Sequence, residues 1–169
     1  MDNLTAKPVV IETEGVFALR CNQAVAVLPY TLLLNGEIDK IGIVTEKNPH
    51  FPGRKHTGIV MGTLEGEDTS LLQRAKAELS EEAGIQAEEN DRWSYIGELI
   101  TSKMIPEPIY CFAVNVTDLP LTKPNGDGSK GEEGITFKLQ ELNSALKVND
   151  AALHFCFFTL FREIYKDQF

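Results

Sequence analysis

The chain of 169 residues is 43% hydrophobic and 8% aromatic, an ordinary globular composition that can form one core, so we expect a single domain over residues 1–169. A formal net charge of −9 argues against a broad nucleic-acid-binding surface, because such a surface neutralises phosphates with Lys and Arg; small phosphorylated ligands stay possible. The longest apolar runs are too short or too polar to span a bilayer and no secretory signal pattern is present, so we expect a cytoplasmic protein without a membrane partner.

Two hairpins are predicted in the N-terminal third of the chain. The predicted strands are residues 9–12, 16–20, 24–34 and 40–45. The first two flank the turn Glu14-Gly15, which makes residues 1–22 a small N-terminal hairpin. The other two flank Asn35-Gly36, a strong turn signal between runs rich in strand formers.

A glycine-punctuated loop over residues 58–68 leads into a predicted helix that ends at Gly84. Three carboxylates of this helix, those of Glu78, Glu81 and Glu82, fall within roughly 100° of one another and form one acidic face. Like charges at these spacings repel each other by a few tenths of a kcal/mol per pair, so the face costs stability unless a cation neutralises it. Oxygen ligands without thiolates suit Mg²⁺ or Mn²⁺. The alternative is a solvated helical face.

The other side of the same helix is apolar at spacings of three and four, which predicts burial against a sheet. Its apolar positions are Leu72, Ala75, Leu79 and Ala83. Asp68, Thr69 or Ser70 can cap the start of the helix, and Gly84 can end it in a left-handed conformation. Such a helix is anchored by its apolar stripe and presents its acidic face to a cleft.

Strands and helices are predicted to follow in the C-terminal half. The strands are residues 93–100, 109–116 and 135–139, and the helices are residues 141–146 and 150–166. Residues 121–131 are rich in Gly, Pro and Asp and form a surface loop. Hairpins, then a helix, strands and a helix predict an α/β fold with a mixed central sheet that helices cover on both faces.

A basic cluster before the glycine loop is a candidate for substrate binding. It comprises His50, Arg54, Lys55 and His56. These side chains either meet substrate phosphates or form a solvated loop, and the sequence favours neither. His154, within an apolar run, is interpreted as a core or interface histidine rather than a catalytic one.

The aromatic residues and cysteines have mainly structural interpretations. Phe51, Trp93 and Tyr110 are candidates for stacking on a base, but core packing is favoured. The cysteines are odd in number and widely spaced in apolar surroundings, which indicates reduced, buried thiols rather than a disulfide frame. They are Cys21, Cys111 and Cys156.

From Gly62 to Ile85 the sequence resembles the signature of the Nudix hydrolases, G-x5-E-x7-R-E-U-x-E-E-x-G-U with U an aliphatic residue. Its second half is matched by Glu78, Leu79, Glu81, Glu82, Gly84 and Ile85. Ala77 stands where the family has arginine, and Glu67, our equivalent of the first glutamate, lies closer to Gly62 than the signature requires. In the family that arginine pairs with the helix carboxylates. Arg74 can supply a similar i,i+4 pair with Glu78 and is also a candidate substrate-binding residue.

The resemblance implies the Nudix fold, an α/β/α sandwich, and hydrolysis of a nucleoside diphosphate linked to another group X. The implied cofactor is Mg²⁺ or Mn²⁺. The implied metal ligands are the Gly62 carbonyl and the carboxylates of Glu78, Glu81 and Glu82, with Glu78 and Glu82 as principal ligands. The implied catalytic residues are Glu78 and Glu82 together with a loop glutamate, Glu132 or Glu133, as an alternative base to Glu82.

The hairpins, the strand around Gly97 and the segment 131–135 are similar to the ADP-ribose pyrophosphatase branch of that family. In that branch subunits pair through their N-terminal strands, so the similarity implies a homodimer and a small nucleotide substrate such as ADP-ribose or a nucleotide sugar. Ala77 favours a second hypothesis, a Nudix-fold nucleotide-binding or regulatory protein that has lost catalysis. A third hypothesis is an unrelated acidic protein in which the E-x-x-E-E pattern arose by chance. It requires the glycine loop, the flanking strands and the C-terminal helix to accompany that pattern by coincidence.

Overall fold

The computed structural model describes residues 9–13, 16–20, 22–48, 53–64, 70–102, 105, 107–126 and 134–166. The strands within these residues are β1 (Val9–Thr13), β2 (Val16–Arg20), β3 (Ala24–Leu32), β4 (Ile38–Lys47), β5 (Lys55–Gly58), β6 (Val60–Thr63), β7 (Trp93–Leu99), β8 (Ile109–Asn115) and β9 (Thr136–Glu141). The α-helices are α1 (Leu71–Ala83), α2 (Leu142–Ala145) and α3 (Ala151–Ile164). A 3₁₀ turn, Asn90–Arg92, precedes β7.

Seven of these strands form one mixed sheet. Its order is β5-β4-β3-β8-β7, with β6 also paired to β3 and β9 also paired to β4. The β3–β8 pair is parallel and the other pairs are antiparallel. β1 and β2 form the predicted N-terminal hairpin as a separate antiparallel pair, and the turn predicted at Glu14-Gly15 lies outside the described residues.

A hydrophobic core lies on each face of the large sheet. Successive β3 residues alternate between the two, as the pleat of a strand requires. Val25 packs in the core with Leu79 of α1, and Leu28 packs in the other with Leu153 of α3. The predicted α/β/α sandwich with a mixed central sheet is therefore confirmed. The helices also agree with the predicted ranges to within a few residues at their ends.

Two short strands lie where the sequence predicted loop. The prediction of a glycine-punctuated loop over residues 58–68 is wrong for Gly58, the last residue of β5, and for 60–63, because β6 pairs with β3 there. The basic cluster is likewise partly a strand, since Lys55 and His56 belong to β5. Strands of four residues that contain glycine carry little alternation, and pairing with partners distant in sequence decides their conformation. Residues 65–69 lie outside the described residues.

Both ends of α1 are fixed by local signals that the sequence carries. Ser70 is the N-cap and forms a capping box with Gln73, in which each side chain accepts a hydrogen bond from the other residue's backbone N–H. At the C-terminal end Gly84 is left-handed, with φ 65°, and its N–H bonds to the last turn. The apolar stripe is buried at Ala75 and Leu79, so the predicted orientation of the helix is confirmed.

Replacing Gly84 by alanine is expected to lower the free energy of unfolding by about 3 kcal/mol in urea denaturation. The left-handed backbone disfavours a side chain, and a Cβ would overlap the carbonyl of Thr122. Gly36→Ala is the matched control, because Gly36 has φ 83° but nothing within 4 Å of the added atom. We expect it to cost only about 1 kcal/mol. Equal losses in the two variants would show that the contact with Thr122 contributes nothing.

The remaining structural predictions concern single residues of the core. Trp93 is buried and its indole N–H donates to the Ala87 carbonyl at 2.8 Å, so the core interpretation holds. Cys111 and Cys156 are free, buried thiols, whereas Cys21 and Phe51 lie outside the described residues. No helix in the described part of the chain is both long and apolar enough to cross a membrane.

Candidate active site

The acidic face of α1 is turned toward the backbone of β6. Glu78 is 2% exposed and Glu82 is 6% exposed, which is unusual for carboxylates unless they have partners. Glu82 Oε2 accepts a hydrogen bond from the Met61 N–H at 3.1 Å. Glu78 forms an ion pair with Arg74 one turn earlier. The two buried carboxylates of α1 therefore lie against neighbouring residues of β6, Glu78 against Gly62 and Glu82 against Met61. Because both are buried, the alternative of a solvated helical face does not hold for them.

Gly62 allows Glu78 to approach the strand this closely. A Cβ added at Gly62 would overlap the Glu78 carboxylate, so any other residue would displace the carboxylate from the backbone. Gly62 pairs with Val25 of β3, which fixes its position in the sheet. The glycine of the predicted motif therefore provides room for a glutamate, within a strand rather than a loop.

Arg74 joins the helix carboxylates to β6. Its guanidinium pairs with Glu78, lies 3.7 Å from Glu81 Oε2, and donates through Nε to the Thr63 carbonyl at 3.0 Å. The predicted i,i+4 pair between Arg74 and Glu78 is present, one turn before Ala77, where the motif has its arginine. In this structure the guanidinium therefore binds carboxylates and a carbonyl of the protein itself. Its role in substrate binding stays a prediction.

A cleft of about 580 Å³ opens beside Glu82, whereas Glu78 and Glu81 are not among its lining residues. Its polar lining consists of Glu46, Asn48, His56, Thr63, Glu82, Thr101 and Asp150, and its apolar lining of Val44, Ile59, Met61, Leu99, Ile109, Ala151 and Ala152. Of the predicted basic cluster, His56 lines the cleft; Arg54 and Lys55 are exposed and are not among the lining residues, and His50 lies outside the described residues.

Two carboxylates of the cleft were missed by sequence reasoning. Glu46 of β4 is opposite His56 of β5 in the antiparallel register. Burial raises the pKa of the Glu46 carboxyl, and the neighbouring His56 partly opposes this rise in pKa. Asp150 is buried, and its Oδ2 lies 3.9 Å from His56 Nε2. The only sequence signal for Asp150 is that it begins a predicted helix, which indicates an N-cap and not a cleft residue.

Comparison with solved structures identifies the fold. No protein-family model matches the sequence, and no curated protein matches it. A Listeria monocytogenes protein assigned to the Nudix hydrolases superimposes with a TM-score of 0.57 at 16% identity, over 85% of this chain and 94% of that chain. The Nudix domain of Shewanella oneidensis NrtR, in complex with ADP-ribose, superimposes with a TM-score of 0.56 at 12% identity, over 87% of each chain. The chain has the Nudix fold. At these identities the likeness establishes the fold alone.

The donor set of this Nudix fold fits a hard divalent cation by charge and by chemistry. Two carboxylates of α1, those of Glu78 and Glu81, pair with one guanidinium, and Glu81 Oε2 is buried without a hydrogen-bond partner among the described residues. Within those same residues, no group of three or more His, Cys, Asp or Glu side chains is arranged to hold a metal ion. Mg²⁺ characteristically uses only one or two carboxylates and completes its shell with water and phosphate oxygens. Ligation by Gly62, Glu78, Glu81 and Glu82 therefore stays a prediction.

Several residues predicted from the Nudix resemblance fall outside the described part of the chain. They are Glu67, Glu132 and Glu133. The assignment of Glu132 or Glu133 as a base thus stays a prediction. Tyr110, a candidate for base stacking, is half-buried, and its hydroxyl accepts a hydrogen bond from Gln23 at 3.2 Å.

Proposed function

We propose that this chain is a metal-dependent hydrolase that cleaves a nucleoside diphosphate linked to another group X into a nucleoside monophosphate and phosphorylated X. The observation that carries the proposal is the buried Glu82 carboxylate, which lines the cleft and is held by the backbone of β6. A carboxylate kept at low exposure beside a cleft is suited to binding a cation or accepting a proton.

The reaction needs its negative charges balanced. A diphosphate repels hydroxide, and Mg²⁺ or Mn²⁺, when bound, would neutralise this charge and make water a better nucleophile. The residues proposed to hold it are Glu78, Glu81, Glu82 and the Gly62 carbonyl. Arg74 orients Glu78, the role proposed for the motif arginine that Ala77 replaces. Glu82, or a loop glutamate at 132 or 133, accepts the proton of the attacking water. The water oxygen forms a bond to one phosphorus while the bond from that phosphorus to the bridging oxygen breaks, and the bridging oxygen leaves as a phosphate oxygen of the other product.

ADP-ribose and nucleotide sugars are the substrates we propose first. The sequence resembles the ADP-ribose pyrophosphatase branch, and a structural neighbour from Shewanella oneidensis is complexed with ADP-ribose. Cleavage of ADP-ribose at the bridge would give AMP and ribose phosphate. A homodimer formed through β1 and β2 is proposed on the same resemblance. The absence of the motif arginine at Ala77 supports the alternative, a nucleotide-binding protein with little or no turnover.

A substrate panel separates these two functions. The protein is incubated with Mg²⁺ or Mn²⁺ and with ADP-ribose, sugar nucleotides, dinucleoside polyphosphates or nucleoside triphosphates, and released monophosphate is measured. We expect turnover of ADP-ribose or a sugar nucleotide that stops when EDTA removes the metal. Measurable nucleotide binding without turnover of any member would contradict the hydrolase and favour the binding protein.

A further inference from the structure

One carboxylate fixes both the start of α3 and a histidine of the cleft. Asp150 is the N-cap of α3, and its Oδ1 accepts the Leu153 N–H at 2.7 Å. Its Oδ2 lies 3.9 Å from His56 Nε2, within ion-pair range of a protonated imidazole. Asp150 is 9% exposed, whereas the His56 side chain is 42% exposed, so the imidazole has one side against a fixed carboxylate and another open to the cleft.

A glycine of β5, Gly58, leaves room for the Asp150 and His56 side chains. A Cβ at Gly58 would lie 2.9 Å from Asp150 Oδ2 and 3.0 Å from His56 Nε2, so the two side chains pack over a position where only hydrogen fits easily. Glu46 lies across the β4–β5 pair from the same histidine. A protonated His56 is therefore attracted by two carboxylates held on two different elements.

His56 differs in charge type from the other ionisable residues of the cleft, which are all acidic. Glu46, Glu82 and Asp150 are carboxylates, and His56 is the only basic side chain among the lining residues that the structure describes. A diphosphate that enters such a cleft is repelled by the carboxylates unless a cation meets it. Exposed Arg54 and Lys55 are not among the lining residues, so His56 is the side chain of the described lining that can carry a positive charge.

We infer that Asp150 is a positioning residue that holds protonated His56 toward the cleft, where the imidazole binds a phosphoryl oxygen of the ligand. The inference rests on the proposed function only in taking a phosphorylated nucleotide as the ligand. It requires no turnover. Asp150 acts through His56 and does not itself contact the phosphate, which would be repelled by its charge.

Calorimetric binding of ADP in EDTA tests this inference separately from catalysis. ADP carries a diphosphate but no group X, and EDTA removes divalent metal ions, so that side chains of the protein must meet the phosphates. The variants are His56→Gln, Asp150→Asn and the double variant, with adenosine as a ligand that lacks phosphate. Asparagine is as good an N-cap as aspartate, so Asp150→Asn keeps the α3 cap while removing the charge beside His56. Its thermal unfolding midpoint is expected to equal that of the parent.

The expected pattern depends on which partner is present. His56→Gln weakens ADP binding about tenfold, as loss of a charge-assisted hydrogen bond predicts, and leaves adenosine binding unchanged. Asp150→Asn weakens ADP binding about threefold when His56 is present. In the His56→Gln background it does not weaken binding, because only the repulsion of phosphate by Asp150 is then removed.

Several outcomes would overturn the inference. His56→Gln could bind ADP with the parent affinity, or Asp150→Asn could bind ADP more tightly than the parent with His56 intact. His56→Gln could also lose as much affinity for adenosine as for ADP. Finally, the parent could show no measurable binding of ADP. A parent that binds ADP in the expected pattern but turns over no member of the substrate panel would contradict the proposed hydrolase and leave the role of Asp150 standing.

Discussion

Replacing Glu82 by glutamine is expected to lower kcat for the best substrate of the panel about a thousandfold. Glu82 is 6% exposed, lines the cleft and accepts the Met61 N–H at 3.1 Å. The glutamine amide oxygen can accept the same hydrogen bond, so the shape of the site and its contact with β6 are kept. Only the negative charge, which the proposed function uses to bind a cation or to accept a proton, is removed.

Stability separates this loss of function from a loss of folding. We expect the thermal unfolding midpoint of Glu82→Gln to stay within about 2 °C of the parent, since the variant keeps its hydrogen bond and removes one charge from a repulsive cluster. Glu88→Gln is the control, because Glu88 is exposed outside the cleft and should leave kcat unchanged. Turnover by Glu82→Gln at the parent rate would assign the essential carboxylate elsewhere.

The parts of this fold that the sequence predicts are those with local signals. Asn35-Gly36 marks the β3–β4 turn through dipeptide chemistry alone, and Ser70 and Gly84 mark the ends of α1 in the same way. The pair between Arg74 and Glu78 is likewise local, because residues four apart on a helix are neighbours whatever the tertiary structure. This is why an arginine displaced from its motif position could be recognised as a partner of the helix carboxylates.

Contacts between distant segments could not be predicted in this way. β6 forms because its residues pair with β3. Four residues are too few for a periodic pattern that would predict this pairing. The burial of Glu78 also depends on the pairing of β6 with β3, since this pairing places Gly62 against the Glu78 carboxylate. Asp150 and His56 are 94 positions apart, and their approach depends on how α3 packs on the sheet. The candidate site was therefore predicted on α1 and incompletely predicted on the other elements that line the cleft.

Replacing Arg74 by methionine is expected to lower the free energy of unfolding by about 3 kcal/mol in urea denaturation. The Glu78 carboxylate is 2% exposed, and Arg74 is its ion-pair partner on the preceding turn of α1. Methionine keeps an unbranched apolar stem like that of the arginine but leaves the buried carboxylate without this counter-charge. Lys40→Met is the matched control, because the pairs of Lys40 with Asp39 and Glu141 are far more exposed than the Arg74–Glu78 pair and should contribute less than about 1 kcal/mol.

A double variant determines whether the lost stability comes from the charge of Glu78. In Arg74→Met/Glu78→Gln the buried group is a neutral amide, which needs no counter-ion, so we expect much of the loss to be recovered relative to Arg74→Met alone. Stability would recover without activity, because the proposed metal ligand Glu78 is lost. If the double variant is instead less stable than Arg74→Met by the full cost of a separate substitution, the two side chains are not coupled, and the ion pair does not replace the arginine that Ala77 lacks.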